Sequence, residues 1–165
     1  MPNLLVFSPA TYSLQKRYFF SIFKGCKTTR ILMECQDPII ETDQLPKTFE
    51  ILNKMLPSIF KSKCYNDKNL PFFIEVRSTE IGHLFEHIML EYICQIKIAR
   101  GLKRASISGV TDWNWRKDLI GTFHITIRTG REDYEIFIEA LKRSIELLEI
   151  IVNQNIIFQE KQMAA

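Results

Sequence analysis

Residues 83–87 read His-Leu-Phe-Glu-His and contain two of the three histidines in the 165-residue chain. His-x-x-Glu-His is the inverted zincin word, in which two imidazoles hold a metal ion and the carboxylate between them acts as base. This chemistry needs a helix. Positions i and i+4 stack one turn apart, roughly 6 Å between Cβ atoms. His83 and His87 can then converge on one zinc ion at about 2.0–2.1 Å from each ring nitrogen. Position i+3 lies on the same face, so Glu86 can reach a water activated at the ion. The competing reading is a buried helix whose histidines are bonded to carbonyls or carboxylates. The full word weighs against it, because two histidines and a glutamate on an apolar helix are costly to bury unless paired or metal-bound.

The surrounding residues predict that helix. Ile81, Leu84, Phe85, Ile88, Leu90, Ile93 and Ile96 are apolar, and no Gly or Pro falls between Gly82 and Arg100. The spacing implies a largely buried helix. Ser78 or Thr79 is its expected cap, Glu80 sits in its first turn, and Gly101 ends it after Arg100.

The remaining elements are mixed. Leu4–Phe7 reads as a short strand, broken at Ser8-Pro9-Ala10-Thr11. Tyr18–Lys24 and Thr28–Glu34 read as a strand pair around Gly25-Cys26. Asp37-Pro38 is a turn. Pro46 opens a helical pattern through Phe49, Leu52, Met55, Leu56 and Ile59. Phe72–Val76 reads as a short strand or extended lead-in. Ala105–Val110 and Thr122–Arg128 read as strands, with a loop over 111–121 carrying Trp113 and Trp115. Glu132–Asn153 is a long helix. The expectation is one α+β domain over 1–158, a mainly antiparallel sheet with helices on one face, and a frayed tail over 159–165.

Composition narrows the function classes. Hydrophobic residues make up 46% of the chain, as in an ordinary globular protein, and the net charge of +3 comes from dispersed Lys and Arg. That distribution argues against nucleic acid as partner. No apolar run approaches a membrane span, and the start is too short and uncharged for a signal peptide. The four cysteines, Cys26, Cys35, Cys64 and Cys94, form no CxxC pair, which fits a reduced cytoplasmic setting.

A further pattern runs through Leu56-Pro57-Ser58, Cys64, Val76-Arg77, and Gly82-His83 through Glu86-His87 with Leu90-Glu91. It resembles the N-terminal domain of cyanophycin synthetases, which polymerise aspartate and arginine. The likeness covers most of the chain, and its sharpest block is Gly-His-x-x-Glu-His. Two departures stand out. The family's glycine-rich stretch after the cysteine is replaced by Tyr65–Phe73, and its histidine two residues before the cysteine is Ser62 here. ATP-grasp and Mur-ligase-like modules and a phosphate-binding glycine loop are absent, so no ligase activity is expected of this chain alone.

The resemblance implies a metallopeptidase-like hydrolase that cuts cyanophycin internally, its fragments priming polymerisation. It implies the polymer and, in a longer chain, the ligase modules as partners; a homo-oligomer is also compatible. The rival class is a non-catalytic module that binds the polymer for a ligase. Pitrilysin-type peptidases and S-ribosylhomocysteine lyases share the His-x-x-Glu-His word. The first needs a far larger chain, and the second a cysteine after the helix, where Ser106–Gly121 has none.

His83 and His87 are the expected metal ligands and Glu86 the base. A catalytic zinc usually takes a third protein ligand. Cys64 is the first choice because it matches a family cysteine, with a packed loop cysteine as the other reading. His124, Asp112 and Glu135 are weaker choices. Glu91 lies roughly 12 Å from His83 along the helix and is expected to orient His87 or bind substrate. Cys94 reads as a packed thiol. Arg77 faces a substrate carboxylate or is a surface arginine. Trp113 and Trp115 wall a groove or are half-buried strand residues. Glu91 and Asp112 are candidates for guanidinium recognition.

Overall fold

The computed structural model describes residues 10–36, 38–66, 68–102 and 105–165. Five strands, β1 (Ala10–Leu14), β2 (Tyr18–Lys24), β3 (Thr29–Cys35), β4 (Gly109–Asp112) and β5 (Thr122–Ile127), form one sheet in the order β1-β2-β3-β5-β4. All neighbours are antiparallel. Side chains alternate along a strand, so register decides which residues share a face. Phe20 faces Met33, Met33 faces Phe123, and Ile31 lies between Ile22 and Ile125. These six side chains are buried and make the inner face. Phe23, Arg30, Val110 and His124 project from the outer face and are exposed.

The helices are α1 (Thr48–Met55), the single turn α2 (Phe72–Glu75), α3 (Ile81–Ala99) and α4 (Tyr134–Met163). α3 carries the His-x-x-Glu-His word and packs against β4, β5 and α4. Leu84, Phe85 and Ile88 are fully buried, and the Phe85 ring lies 4.7 Å from that of Phe20. A Cβ on Gly82 would fall on the ring of Phe123, so the helix backbone rests directly on the sheet at that turn.

Several expectations meet a different local structure. The helical pattern from Pro46 stops at Leu56, and Pro57–Lys61 forms a 3-10 turn. Pro57 lacks an N–H and disfavours helical backbone at the residue before it. Phe72–Val76 is not extended but opens with α2, entered from Pro71. Its buried residues, Phe72, Glu75 and Val76, have i, i+3, i+4 spacing, which is helical. β1 begins at Ala10, inside the expected break, and turns into β2 through Gln15 and Lys16, both at positive φ. Ladder pairing starts at Gly109 rather than Ala105, and β4 runs into the stretch expected as loop. α4 continues to Met163, past the point at which fraying was expected. The strand expected at Leu4–Phe7 lies outside the described residues, as does Asp37 of the expected turn.

The start of α3 also differs. Glu80 is the N-cap, with no side-chain cap bond. Instead the Ile81 N–H donates to the Ile40 carbonyl at 2.8 Å, and the 40–42 segment runs beside 79–81. Thr79 is thereby released from capping, and its hydroxyl serves the site instead. No helix among the described residues is long and apolar enough to cross a membrane.

Candidate metal centre and its cavity

One face of α3 forms the floor of a cavity of about 690 Å³, walled by residues from the 58–66 segment and from the 105–113 segment. The 62–72 loop folds back on itself. Phe72 N–H donates to Ser62 C=O and Cys64 N–H to Leu70 C=O, with a bridge between Lys63 and Pro71. This fold presses Cys64 onto the helix, where it is buried. Its Sγ lies 3.4 Å from His87 Nε2, and His87 Nε2 lies 3.1 Å from His83 Nε2. Among the described residues, Cys64, His83 and His87 are the one group of three placed to hold a metal ion.

The hydrogen bonds fix which nitrogen faces inward. Ser62 Oγ donates to the Ile59 carbonyl at 2.6 Å, so at its 3.2 Å contact with His87 Nδ1 it accepts. Thr79 Oγ1 donates to Glu80 Oε2 at 3.3 Å and accepts from His83 Nδ1 at 2.8 Å. Both imidazoles then carry their proton on Nδ1 and turn the lone pair of Nε2 toward the same point. Two lone pairs facing each other at 3.1 Å repel unless a cation or a proton lies between. A proton is disfavoured. Burial, reinforced by the neighbouring His83, pushes His87 down to about 3, and burial lowers His83 as well. Phe72 stacks on the His87 ring with centroids 4.1 Å apart and excludes water from it.

A cation fits. A tetrahedral ion at about 2.05 Å from nitrogen and about 2.3 Å from sulfur sets donor separations of about 3.3 Å (N–N) and about 3.6 Å (N–S). The distances here are close to both. Imidazoles tied through their outer nitrogen are also the usual way ligand orientation is fixed at such sites. Burial, with the charges of Glu75 and Glu86, pushes the Cys64 thiol up to about 12. The metal-free protein therefore holds this thiol protonated, and binding an ion releases the proton.

Glu86 is buried beside this centre. Its Oε2 accepts from Thr111 Oγ1 at 2.5 Å, and Oε1 lies under Gly109, where a Cβ would come within 3.1 Å. Burial raises its carboxyl above the usual range, Thr111 opposes the rise, and Asp112 adds to it. A carboxylate so raised is a better proton acceptor near neutral pH.

The other expected residues separate. Glu91 lines the cavity, but it is bonded to the Ser58 hydroxyl, which in turn accepts from Gln95 Nε2 at 3.1 Å. Ser62, rather than Glu91, holds His87. Cys94 lines the cavity without joining the metal group. Arg77 stands outside the cavity, exposed, with its guanidinium 4.3 Å above the Phe49 ring. His124 and Asp112 are opposite each other on the outer face, where His124 pairs with Asp118 at 2.9 Å. Neither they nor Glu135 joins the group. Trp113 is at the cavity rim, and Trp115 donates to the Thr122 carbonyl; both rings pack against Phe123.

Sequence reasoning missed Ser62, Phe72, Thr79, Thr111 and Glu75, a buried carboxylate that accepts from Asn66 at 2.9 Å. Two signals were present. Thr79 precedes His83 by four residues, one helical turn. Ser62 and Cys64 are i and i+2 in extended chain, which puts both on one side.

Residues 30–110 match the family model of the cyanophycin synthase-like N-terminal domain. The match runs from β3 into β4 and includes Cys64, His83, Glu86 and His87. Comparison with curated proteins and with solved structures gave no match.

Proposed function

We propose that this chain is a zinc-dependent hydrolase, a reading supported by the match of residues 30–110, which carry Cys64, His83, Glu86 and His87, to the family model of the cyanophycin synthase-like N-terminal domain. It cuts cyanophycin, a poly-aspartate with arginine on each side chain, at internal bonds and so supplies primers for polymerisation. The observation that carries the reading is the convergence of Cys64 Sγ, His83 Nε2 and His87 Nε2, with both outer nitrogens tied back and Glu86 alongside.

Cys64, His83 and His87 would hold the ion, and a thiolate with two imidazoles suits zinc. Bound there, zinc supplies Lewis acidity to an amide carbonyl and a water that ionises near pH 7. Glu86 takes the proton from the attacking water. The same carboxyl returns it to the departing amine nitrogen as the C–N bond breaks and the new C–O bond remains. Thr111 fixes one oxygen of Glu86, so the carboxylate keeps its aim through both transfers. Phe72 keeps bulk water from the His87 ring. About one helical turn beyond His87, Glu91 has Ser58 on one oxygen, and among the described residues no Lys or Arg pairs with it. In this reading it receives a substrate guanidinium.

Glu86→Gln tests the reading. The substitution keeps size and hydrogen bonding but removes basicity. Metal content and polymer binding should persist while cleavage, read from the size distribution of cyanophycin after incubation, falls by roughly 10²–10⁴. Wild-type protein that binds the polymer and leaves it intact would make this a scaffold for a ligase rather than a hydrolase.

A further inference from the structure

β4 is an end strand of the sheet, and its unpaired edge borders the cavity. The Arg128 N–H donates to Ser108 C=O at 2.9 Å, which makes 108 and 128 a hydrogen-bonded pair. Antiparallel pairs alternate between bonded and non-bonded. With Gly109 opposite Ile127 and Thr111 opposite Ile125, the register leaves these two pairs non-bonded. The main-chain N–H and C=O of Gly109 and Thr111 therefore point away from β5. Among the described residues they have no intramolecular partner.

An unpaired edge is a template for another extended chain. This one is unusual in its position. Gly109 and Thr111 both line the cavity, the Thr111 side chain holds Glu86, and Gly109 lies against the same carboxylate. A chain pairing here would run along α3 with its backbone beside the metal centre. The free groups recur every second residue, about 6.8 Å apart. An extended polyamide matches that spacing.

We propose that the β4 edge binds the substrate main chain as an added strand, through Gly109 and Thr111, and thereby sets which backbone carbonyl reaches Glu86. This rests on the hydrolase reading for the identity of the chain and adds the means by which it is aligned. Backbone pairing ignores side chains, so the arginine-bearing branches are left to face the cavity walls, Glu91 among them.

The test uses short synthetic oligomers of arginylated aspartate, each with one backbone amide N-methylated at a successive position. They are titrated against Glu86→Gln protein, which leaves them intact. Added-strand pairing predicts loss of affinity, roughly tenfold, at alternate positions near the centre and little change between them. A uniform effect or none overturns the proposal, as does failure of the unmodified oligomer to bind. Thr111→Pro and Thr111→Val supply the second arm. Both remove the hydroxyl, and only proline removes the outward N–H, at an edge position that tolerates it. Proline should weaken binding by a further ~3–10-fold beyond valine, and equal affinities in two folded variants overturn the pairing. Period-two sensitivity with no cleavage by wild type leaves the edge intact and removes the hydrolase.

Discussion

His124 and His87 belong to the two sides of one sheet and meet opposite surroundings. On the outer face, His124 is exposed, and its Nε2 is 2.9 Å from the Asp118 carboxylate. On the inner side, His87 is buried, stacked on Phe72 and faced by His83 and Cys64. The Asp118 carboxylate takes up the Nε2 of His124, whereas burial beside a second imidazole favours the neutral ring of His87. Only the second environment brings a second imidazole and a thiol within reach of one metal ion. Strand parity decides between them. Phe123, Ile125 and Ile127 take the inner positions of β5, and His124 falls between. A candidate ligand is lost by one residue of register.

The largest expected effect breaks this contrast directly. His83→Ala, His87→Ala or Cys64→Ser should abolish or sharply reduce the zinc retained by purified protein. His124→Ala and Cys94→Ser should retain wild-type content. Elemental analysis of protein purified without added metal decides it; equal content in all five variants rejects the site.

A smaller effect belongs to Ser62→Ala, which leaves every ligand in place but removes the acceptor for the His87 Nδ1 proton. Loss of such an outer partner typically costs about 10–100-fold in metal affinity. Competition with a chelator of known affinity measures it. Affinity unchanged from wild type would mean that Phe72 stacking alone orients the ring.

The smallest effect is a pH dependence of the metal-free protein. His87 in the folded state lies near 3, against 6.5 for the unfolded chain. Between these values the unfolded chain binds a proton that the folded one does not, so stability falls as pH drops below 6.5 and is unaffected by this group above it. The loss should approach about 2 kcal/mol by pH 5. Glu86, raised by burial, pulls the other way above 4.5. Urea unfolding of wild type and His87→Gln at both ends of the window isolates the histidine contribution. The slope should be markedly shallower in the variant, and parallel curves would contradict the buried neutral state.

Much of this arrangement was legible in the sequence, and the reasons differ by residue. α3, β2, β3 and β5 have strong periodicity, and the structure places them within a residue or two. His83, Glu86 and His87 were legible because a single helix fixes their mutual geometry. Cys64 needed the family likeness, since 18 residues, most of them irregular chain, lie between it and His83. Ser62 and Thr111 were invisible as site residues because their roles depend on the fold of the 62–72 loop and on the register of β4 with β5. Phe72 was misassigned along with its segment: a one-turn helix is too short to show a period. Arg77 could be read from position alone only as a substrate contact or a surface arginine, and tertiary packing sets it, exposed, over Phe49.

Gly82 lies next to the first ligand in the chain, and its helical backbone makes no special demand. What matters is the carbon it lacks. Any larger residue would have to lift the first turn of α3 off Phe123, and that turn also carries His83. Cys64 arrives from a separate loop and would not follow. The gap between nitrogen and sulfur is thus gauged by the thickness of one aromatic ring at the back of the helix. Tolerance to mutation at this position is limited by coordination geometry as much as by packing. A stable, well-folded Gly82→Ala protein could still be one whose donors no longer meet.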